Sequence, residues 1–340
     1  MIKKIIKKWW RNLIFEPGDP KLLAGSQIKI AAIGGGSGLA NILRGLKKYS
    51  DHISAIVAVT DDGASSGKIR NEFDVLPPGD IRKCISALTY NESLLSEILE
   101  YRFKGRKKSL SGHTLGNIWI TALTKHYKSF AKSVEITSQI FRTAGRIYPA
   151  TLDNVKIGAE YYEGRKSIGE SKISQPGRKI KRIFLNKKNV RAYSKAKAAI
   201  KEANLIIIGP GSLYTSVIPN LLIPGIRQAI RNNHQALRIY IANCSTERGE
   251  TEGYEIKDHL KAMIDHGGKM FDYCLVNTHL VKKTREHSKL GKINNITTKE
   301  KEIMSVKIIP YNVVNNKKPL YHDANKLAKA IIKFYNQKKW

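Results

Sequence analysis

The sequence predicts an α/β fold: a doubly wound, mostly parallel Rossmann-like sheet with an antiparallel β insertion and helical additions. Three observations predict it. Short continuous apolar runs, among them IKIAAIG at 28–34, ISAIVAVT at 53–60 and NLIIIG at 204–209, read as strands buried on both faces. Segments of helical spacing separate most of these runs. Glycines, hydroxyls and acids cluster directly after them, at the carboxyl ends where open α/β sheets place ligand groups.

The first strand ends in Gly34-Gly35-Gly36-Ser37-Gly38, and a helical pattern from Leu39 to Lys48 follows. Glycines let backbone N–H groups approach an anion closely, and a helix N-terminus adds about half a positive charge there. Ser37 can cap the helix or donate to a phosphate. The spacing is not a dinucleotide fingerprint, because Leu39 stands where the third glycine belongs, and no Gly-Lys-Ser/Thr follows as in a P-loop. A tight turn without a ligand is the plainer alternative.

The second strand, 53–60, ends in Asp61-Asp62-Gly63-Ala64-Ser65-Ser66-Gly67. The two acids can hold ribose hydroxyls or a hard cation, or simply form an Asx turn. The serines and glycines suit a second anion nest. In LPPGDIRK, 76–83, Asp80 reads as the N-cap of a helix through Leu88, with Arg82 available to an anion. A helical hairpin to Phe103 follows. GHTLGN, 112–117, opens another helix and sets His113 and Asn117 four apart, on one face if the helix starts early.

From Gly145 to Tyr193 the pattern changes to short strands and turns, read as the antiparallel insertion. Ser194 to Ala203 returns to helix. The strand at 204–209 ends in Gly209-Pro210-Gly211-Ser212, which repeats the logic of the first turn: strand, glycines, hydroxyl, helix. Two such turns on one sheet edge suit two phosphates, or a phosphate and a sugar. The strand at 238–245 ends near Asn243, followed by Glu247 and Glu250; a fifth strand spans 271–277. Residues 282–298 read as a mobile basic connection, 306–309 as a short edge strand, and 323–336 as a last helix.

Residues 1–20 form a basic N-terminal extension ahead of a single α/β domain at 21–340. Its helical spacing with Trp9 and Trp10 fits either an anionic membrane surface or packing on the domain. Lys and Arg number 60 against 28 acids, a net +32, in a chain that is 41% hydrophobic. The lysines are dispersed, with no nucleic-acid-binding signature, so specific nucleic-acid binding is not expected. Three cysteines without a C-x-x-C pair fit a reducing cytoplasm. No apolar run approaches a membrane span.

Taken together, GGGSGL, DDGASSG, LPPGDIRK, GHTLGN, YPAT, GPGSLYTSVIPNLL, NCSTERGETEGY and HDANKLA occur in the order found in the YvcK-like gluconeogenesis factors. These form the bacterial branch of the CofD-like superfamily that also holds 2-phospho-L-lactate transferase. The chain resembles this family from about 28 to 332. The resemblance implies a cytoplasmic regulator of cell shape and cell-wall homeostasis under gluconeogenic growth, binding a nucleotide sugar of the UDP-N-acetylglucosamine type, with no established reaction. It implies ligand contacts at Gly34, Gly35, Gly36, Ser37, Gly38, Asp61, Asp62, Ser65, Ser66, Asn117, Gly209, Gly211 and Ser212; Asn243 joins them from its position after the fourth strand. Expected partners are cell-wall synthesis or regulatory proteins, and a homo-oligomer. The alternative is a phosphotransferase in which Asp61 or Asp62 binds Mg2+. Three departures stand out: Ala64 replaces a glycine of DDGGSSG, Tyr321-His322 stands where Arg-His is expected, and 282–298 matches poorly.

Overall fold

Apolar runs without alternation need cover on both faces, and the sheet supplies it. A computed structural model describes residues 27–90, 92–105, 110–174, 177–280, 294–318 and 320–338. The basic N-terminal segment with Trp9 and Trp10 and most of the 282–298 connection lie outside these residues. Strands β1 (Ile30–Gly34), β2 (Ile53–Val57), β3 (Gly145–Pro149), β7 (Leu205–Ile208), β8 (Leu237–Ile241), β9 (Tyr273–Asn277), β10 (Glu302–Ile303) and β11 (Val306–Tyr311) form one sheet in the order β10-β11-β9-β8-β7-β1-β2-β3. All neighbours pair in parallel except β10 with β11.

Within β7, Ile206 and Ile208 feed one core and Leu205 and Ile207 the other. The first core lies under α8 (Ser194–Glu202), α9 (Ile218–Leu221), α10 (Pro224–Asn232) and α11 (Ile256–Gly267). The second lies under α1 (Gly36–Leu46), α3 (Gly79–Leu88), α6 (Phe130–Ile140) and α12 (Ala324–Lys338). That is the doubly wound arrangement the sequence predicts. Strand order runs outward from β1 to β2 and β3 on one side, and from β7 to β8 and β9 on the other. The reversal therefore falls between β1 and β7, the switch point at which such sheets bind ligands.

Strands β4 (Ile157–Tyr161), β5 (Lys166–Ile168) and β6 (Ile180–Leu185) make a separate antiparallel sheet, order β5-β4-β6, with the short helix α7 (Glu170–Ile173) in its connection. It shares the first core through Tyr161, Ile173 and Ile183. The Ile183 N–H donates to His266 Nε2 at 2.9 Å, fastening the insertion to α11.

Two strands depart from the sequence reading. RIYPAT, expected as the start of the insertion, supplies β3, which pairs with β2 in the main sheet. Its Ile147 packs with the second core, so the run's apolar content serves the parallel sheet. The 306–309 run is not an edge: β11 lies between β9 and β10, and the two-residue β10 is the edge. Among the described residues no helix is long and apolar enough to cross a membrane.

Candidate ligand-binding site

The two glycine turns meet at the switch point, one after β1 and one after β7. Gly36 has φ +63°, a left-handed conformation that favours glycine. Gly38 faces the second turn: a Cβ there would stand 2.6 Å from the Pro210 carbonyl oxygen and 2.8 Å from Gly211 Cα. Glycine at 38 thus lets the two turns touch. A Cβ at Gly35 would stand 2.9 Å from Asp80 Oδ2.

Several donors of the two turns already hold an acceptor from the chain itself. The Gly36 N–H donates to Asp80 Oδ2 at 2.7 Å, and Lys83 Nζ donates to Asp80 Oδ1 at 2.9 Å. Asp80 is therefore not the N-cap expected above: Pro78 holds that position, and Asp80, in the first turn of α3, reaches across to the glycine turn. The Gly211 N–H donates to Asn243 Oδ1 at 3.2 Å, and Asn243 Nδ2 returns a bond to the Gly211 carbonyl at 2.9 Å and one to Glu247 Oε1 at 3.3 Å. The Tyr214 N–H, in the π-helical turn Leu213–Val217 that follows Gly209, Gly211 and Ser212, donates to Glu250 Oε2 at 3.0 Å. Thr215 Oγ1 and Ser174 Oγ both donate to Glu250 Oε1 at 2.8 Å. By contrast, no acceptor among the described residues meets the N–H groups of Ser37 and Gly38. Ser37 is exposed and Gly38 half-buried, so these two donors open to solvent at the N-terminus of α1.

The acids after β2 divide their work. Asp61 Oδ1 accepts from the Gly63 N–H at 2.8 Å, an Asx turn, and its carboxylate also accepts from Ser66. Asp62 Oδ1 accepts from the Ser171 N–H at 2.8 Å and so holds the start of α7 over the switch point. Ser65, at the head of α2 (Ala64–Phe73), lies 2.9 Å from His113 Nδ1 and accepts from Asn117 Nδ2 at 3.0 Å. Asn117, in α5 (Leu115–Tyr127), takes a bond from Arg82 at 3.1 Å. Arg82 is bound on its other side to Glu100, 2.9 Å away, at the end of α4 (Glu92–Glu100). His113 and Asn117 thus do meet, through Ser65, and Arg82 is engaged by Asn117 and Glu100.

The electrostatics of the cleft are acidic despite the chain's net charge. Burial, then Asp80, raises the Asp61 carboxyl. Burial, then Asp61, Asp80, Glu250 and Asp62, pushes Glu170 up to about 9. Burial, then Glu250, pushes Glu247 up to about 7, and burial raises Glu250 itself. Burial opposes the charge on Lys83, and Asp80 overrides it, so that amine is raised. Like charges desolvated together favour their neutral forms. Among the described residues no group of three His, Cys, Asp or Glu is arranged to hold a metal ion.

Sequence reasoning placed no role on Glu170. It stands in the insertion, far along the chain from both turns, with no local motif. Glu247 and Glu250 were visible just after the fourth strand, without a sign that one carboxylate would seat the other turn's N–H groups.

Comparison with known proteins adds the following. The family described as 2-phospho-L-lactate transferase CofD matches residues 30–330. The gluconeogenesis factor of Halalkalibacterium halodurans is 39% identical over 309 residues, which cover 89% of this chain and 95% of that protein. The gluconeogenesis factor of Listeria monocytogenes is 43% identical over 256 residues, 75% of this chain and 79% of that protein. A crystal structure of a UPF0052 family protein from Bacillus halodurans superposes with a TM-score of 0.85 at 39% identity, covering 91% of this chain and 100% of that one.

Proposed function

This chain belongs to the CofD family, and on that premise we propose that it is a nucleotide-sugar-binding regulator of the gluconeogenesis-factor kind, taking a ligand of the UDP-N-acetylglucosamine class. One observation carries the reading: the two glycine turns touch across the switch point, and each presents backbone donors that already seat a carboxylate. Asp80 on the Gly36 N–H and Glu250 on the Tyr214 N–H mark where anionic oxygens are favoured. The open donors of Ser37 and Gly38 give a diphosphate its first foothold. A hydrogen bond to a charged oxygen is worth about 1.5–3 kcal/mol, so two with the Ser37 hydroxyl contribute roughly 4.5–9 kcal/mol, against the roughly 8 kcal/mol of a micromolar Kd. Glu170, held neutral by its surroundings, is a donor suited to a sugar or phosphate oxygen. Binding regulates when the ligand prefers one state of the protein over another. The states are read by cell-wall synthesis or regulatory proteins in the cytoplasm, in support of cell shape during growth on gluconeogenic carbon.

A second reading, phosphoryl transfer of the kind the family description names, is favoured by the same gathering of acids. Asp61 offers the oxygens a hard cation takes, while both oxygens of Asp80 are engaged by the Gly36 N–H and Lys83; phosphate oxygens would complete the shell. Such a cation would neutralise charge on a transferred group.

A thermal-shift panel of UDP-N-acetylglucosamine, UDP-N-acetylgalactosamine, UDP-glucose, GDP and NAD, with and without magnesium, tests the proposal. Ligand at about 100 times its Kd adds roughly 2.7 kcal/mol, a shift of several degrees. The companion variant is Ser37→Asp. An acid in the first turn suits the helix dipole, so the fold persists, while its charge repels a phosphate. The proposal expects a shift with UDP-amino sugars that Ser37→Asp abolishes. A shift given equally by GDP, or one surviving in Ser37→Asp, overturns it; a shift that requires magnesium selects the second reading.

A further inference from the structure

The outer edge of the sheet opposite β10 is β3, two strands away from the switch point. Among the described residues no backbone–backbone hydrogen bond reaches Gly145–Pro149 from outside β2; the Gly145 carbonyl accepts from Thr143 Oγ1 at 2.8 Å. The ladder is closed only at its ends, by the isolated bridges of Thr143 with Thr89 and of Thr151 with Ala192. Along this edge runs an open groove of about 650 Å³, with β3 as its floor, α6 as one wall and α8 as the other. Small side chains, Ala131 on α6 and Ala198 and Ala199 on α8, leave the space free. We propose that this groove binds an extended segment of a partner protein, which adds to β3 as a further strand and sets an acidic side chain against Arg146.

Width and charge select the occupant. Lys195 of α8 meets Glu135 of α6 across the groove, 3.5 Å apart, so the two walls lie within the combined reach of two side chains. A folded surface does not enter such a slot, and the recessed β3 of one copy does not reach the recessed β3 of another. A single extended chain does; this is strand addition, in which backbone bonds give affinity and alternate side chains give specificity. The exposed Lys195–Glu135 pair is weak enough to be displaced. The acids of the groove are already compensated: Glu135 by Lys132 and Lys195, Glu202 by Lys29. Arg146 is exposed, and its guanidinium has no ion pair or hydrogen bond among the described residues. The uncompensated charge is therefore a guanidinium, whose planar fork matches a carboxylate. Arg146 and Tyr148 stand on the same side of β3, two residues apart, and Tyr148 packs edge-on against Tyr193 with ring centroids 6.1 Å apart. The bound segment thus carries an acid, with an apolar or aromatic residue two positions away on the same face.

A randomised peptide library selected on the wild-type protein, with counter-selection on Ala198→Trp, tests this. Ala198 is exposed, so the indole fills the groove without disturbing the core. Enriched peptides are synthesised and titrated by fluorescence polarisation, and amide exchange is followed at Ile147. The expected result is peptides bearing an acid, bound about tenfold or more weakly by Arg146→Glu, with recovery when the acid is changed to lysine. Exchange at Ile147 slows on binding, and thermal unfolding of both variants matches the wild type. No groove-dependent binder, binding indifferent to Arg146→Glu, or protection confined to other strands overturns the proposal.

Discussion

Glu170→Gln isolates the most perturbed acid of the cleft. Its native carboxyl is raised from 4.5 to about 9, by burial first and then by Asp61, Asp80, Glu250 and Asp62. The sign follows from linkage. The fold binds this proton more tightly than the unfolded chain does, so the contribution is complete below about pH 4.5 and is lost as pH rises toward about 9. Each pH step costs at most about 1.36 kcal/mol, so the ceiling at pH 7 is about 3 kcal/mol. Water still reaches part of the residue, and screening brings the expected loss to about 1–2 kcal/mol. Glutamine resembles the neutral acid and does not ionise. Urea unfolding of both proteins at about pH 5, 7 and 8.5 reads the difference. The two should nearly coincide at the lowest pH, and the variant should gain steadily as pH rises. Parallel curves, or a variant that loses ground at neutral pH, would refute the assignment of Glu170 to this acidic cluster.

Three further outcomes follow from the same geometry. Gly38→Ala drives a Cβ into the Pro210–Gly211 backbone; overpacking of about 1–3 kcal/mol exceeds the helix gain of about 1 kcal/mol. Its Tm should fall by a few degrees, while Gly105→Ala, with nothing within 4 Å of its Cβ, should leave Tm unchanged. Asp62→Ala removes the acceptor of the Ser171 N–H, so hydrogen exchange at Ser171 should quicken about tenfold while β1 and β7 keep their protection. On the acid side, burial lowers His259 and His322 to about 4. A buried neutral imidazole takes its proton more readily when unfolded, so stability falls as pH drops from about 6.5 to about 4. With Glu170 acting from the other side, the urea midpoint should peak near about pH 6, and a maximum well above neutrality would contradict both assignments.

The backbone geometry of the candidate site was legible because backbone chemistry is local. A strand that ends in GGGSG must turn without side chains, and the next residues must start a helix; Gly34 to Ser37 follow from composition and order alone. Gly38 shows where that stops. Its sequence reading was close approach to an anion, whereas its Cβ direction faces Pro210, a residue far along the chain. Arg82 and Asp80 show the same limit. Each lies in the first turn of α3, and sequence gave each a local role or a ligand, yet their partners are Glu100 and Asn117 for one and the Gly36 N–H for the other. β3 was misplaced for a related reason: five residues of mixed polarity look alike in an insertion and on the rim of a parallel sheet, and pairing with β2 decides between them.

Asp61 and Asp62 were visible in the sequence; what remained hidden was their convergence with Asp80, Glu170 and Glu250, and the cause is again topological. Asp61, Asp80, Glu170 and Glu250 come from four separate segments, after β2, at the head of α3, at the head of α7 and after β8. Only the fold brings them together. Their convergence has a consequence that composition obscures. A chain with a net charge of +32 gathers buried acids beside its glycine turns. On the proposed reading the surface field would attract a nucleotide, while the cleft would admit its diphosphate only if protons or a cation offset the carboxylates that now hold the donors. Glu250 makes that exchange felt elsewhere, because one of its oxygens also holds Ser174 of the insertion. A phosphate that displaced Glu250 from the Tyr214 N–H would loosen the insertion's tie to the second turn, so on the proposed reading a single carboxylate would couple ligand occupancy to the position of the insertion.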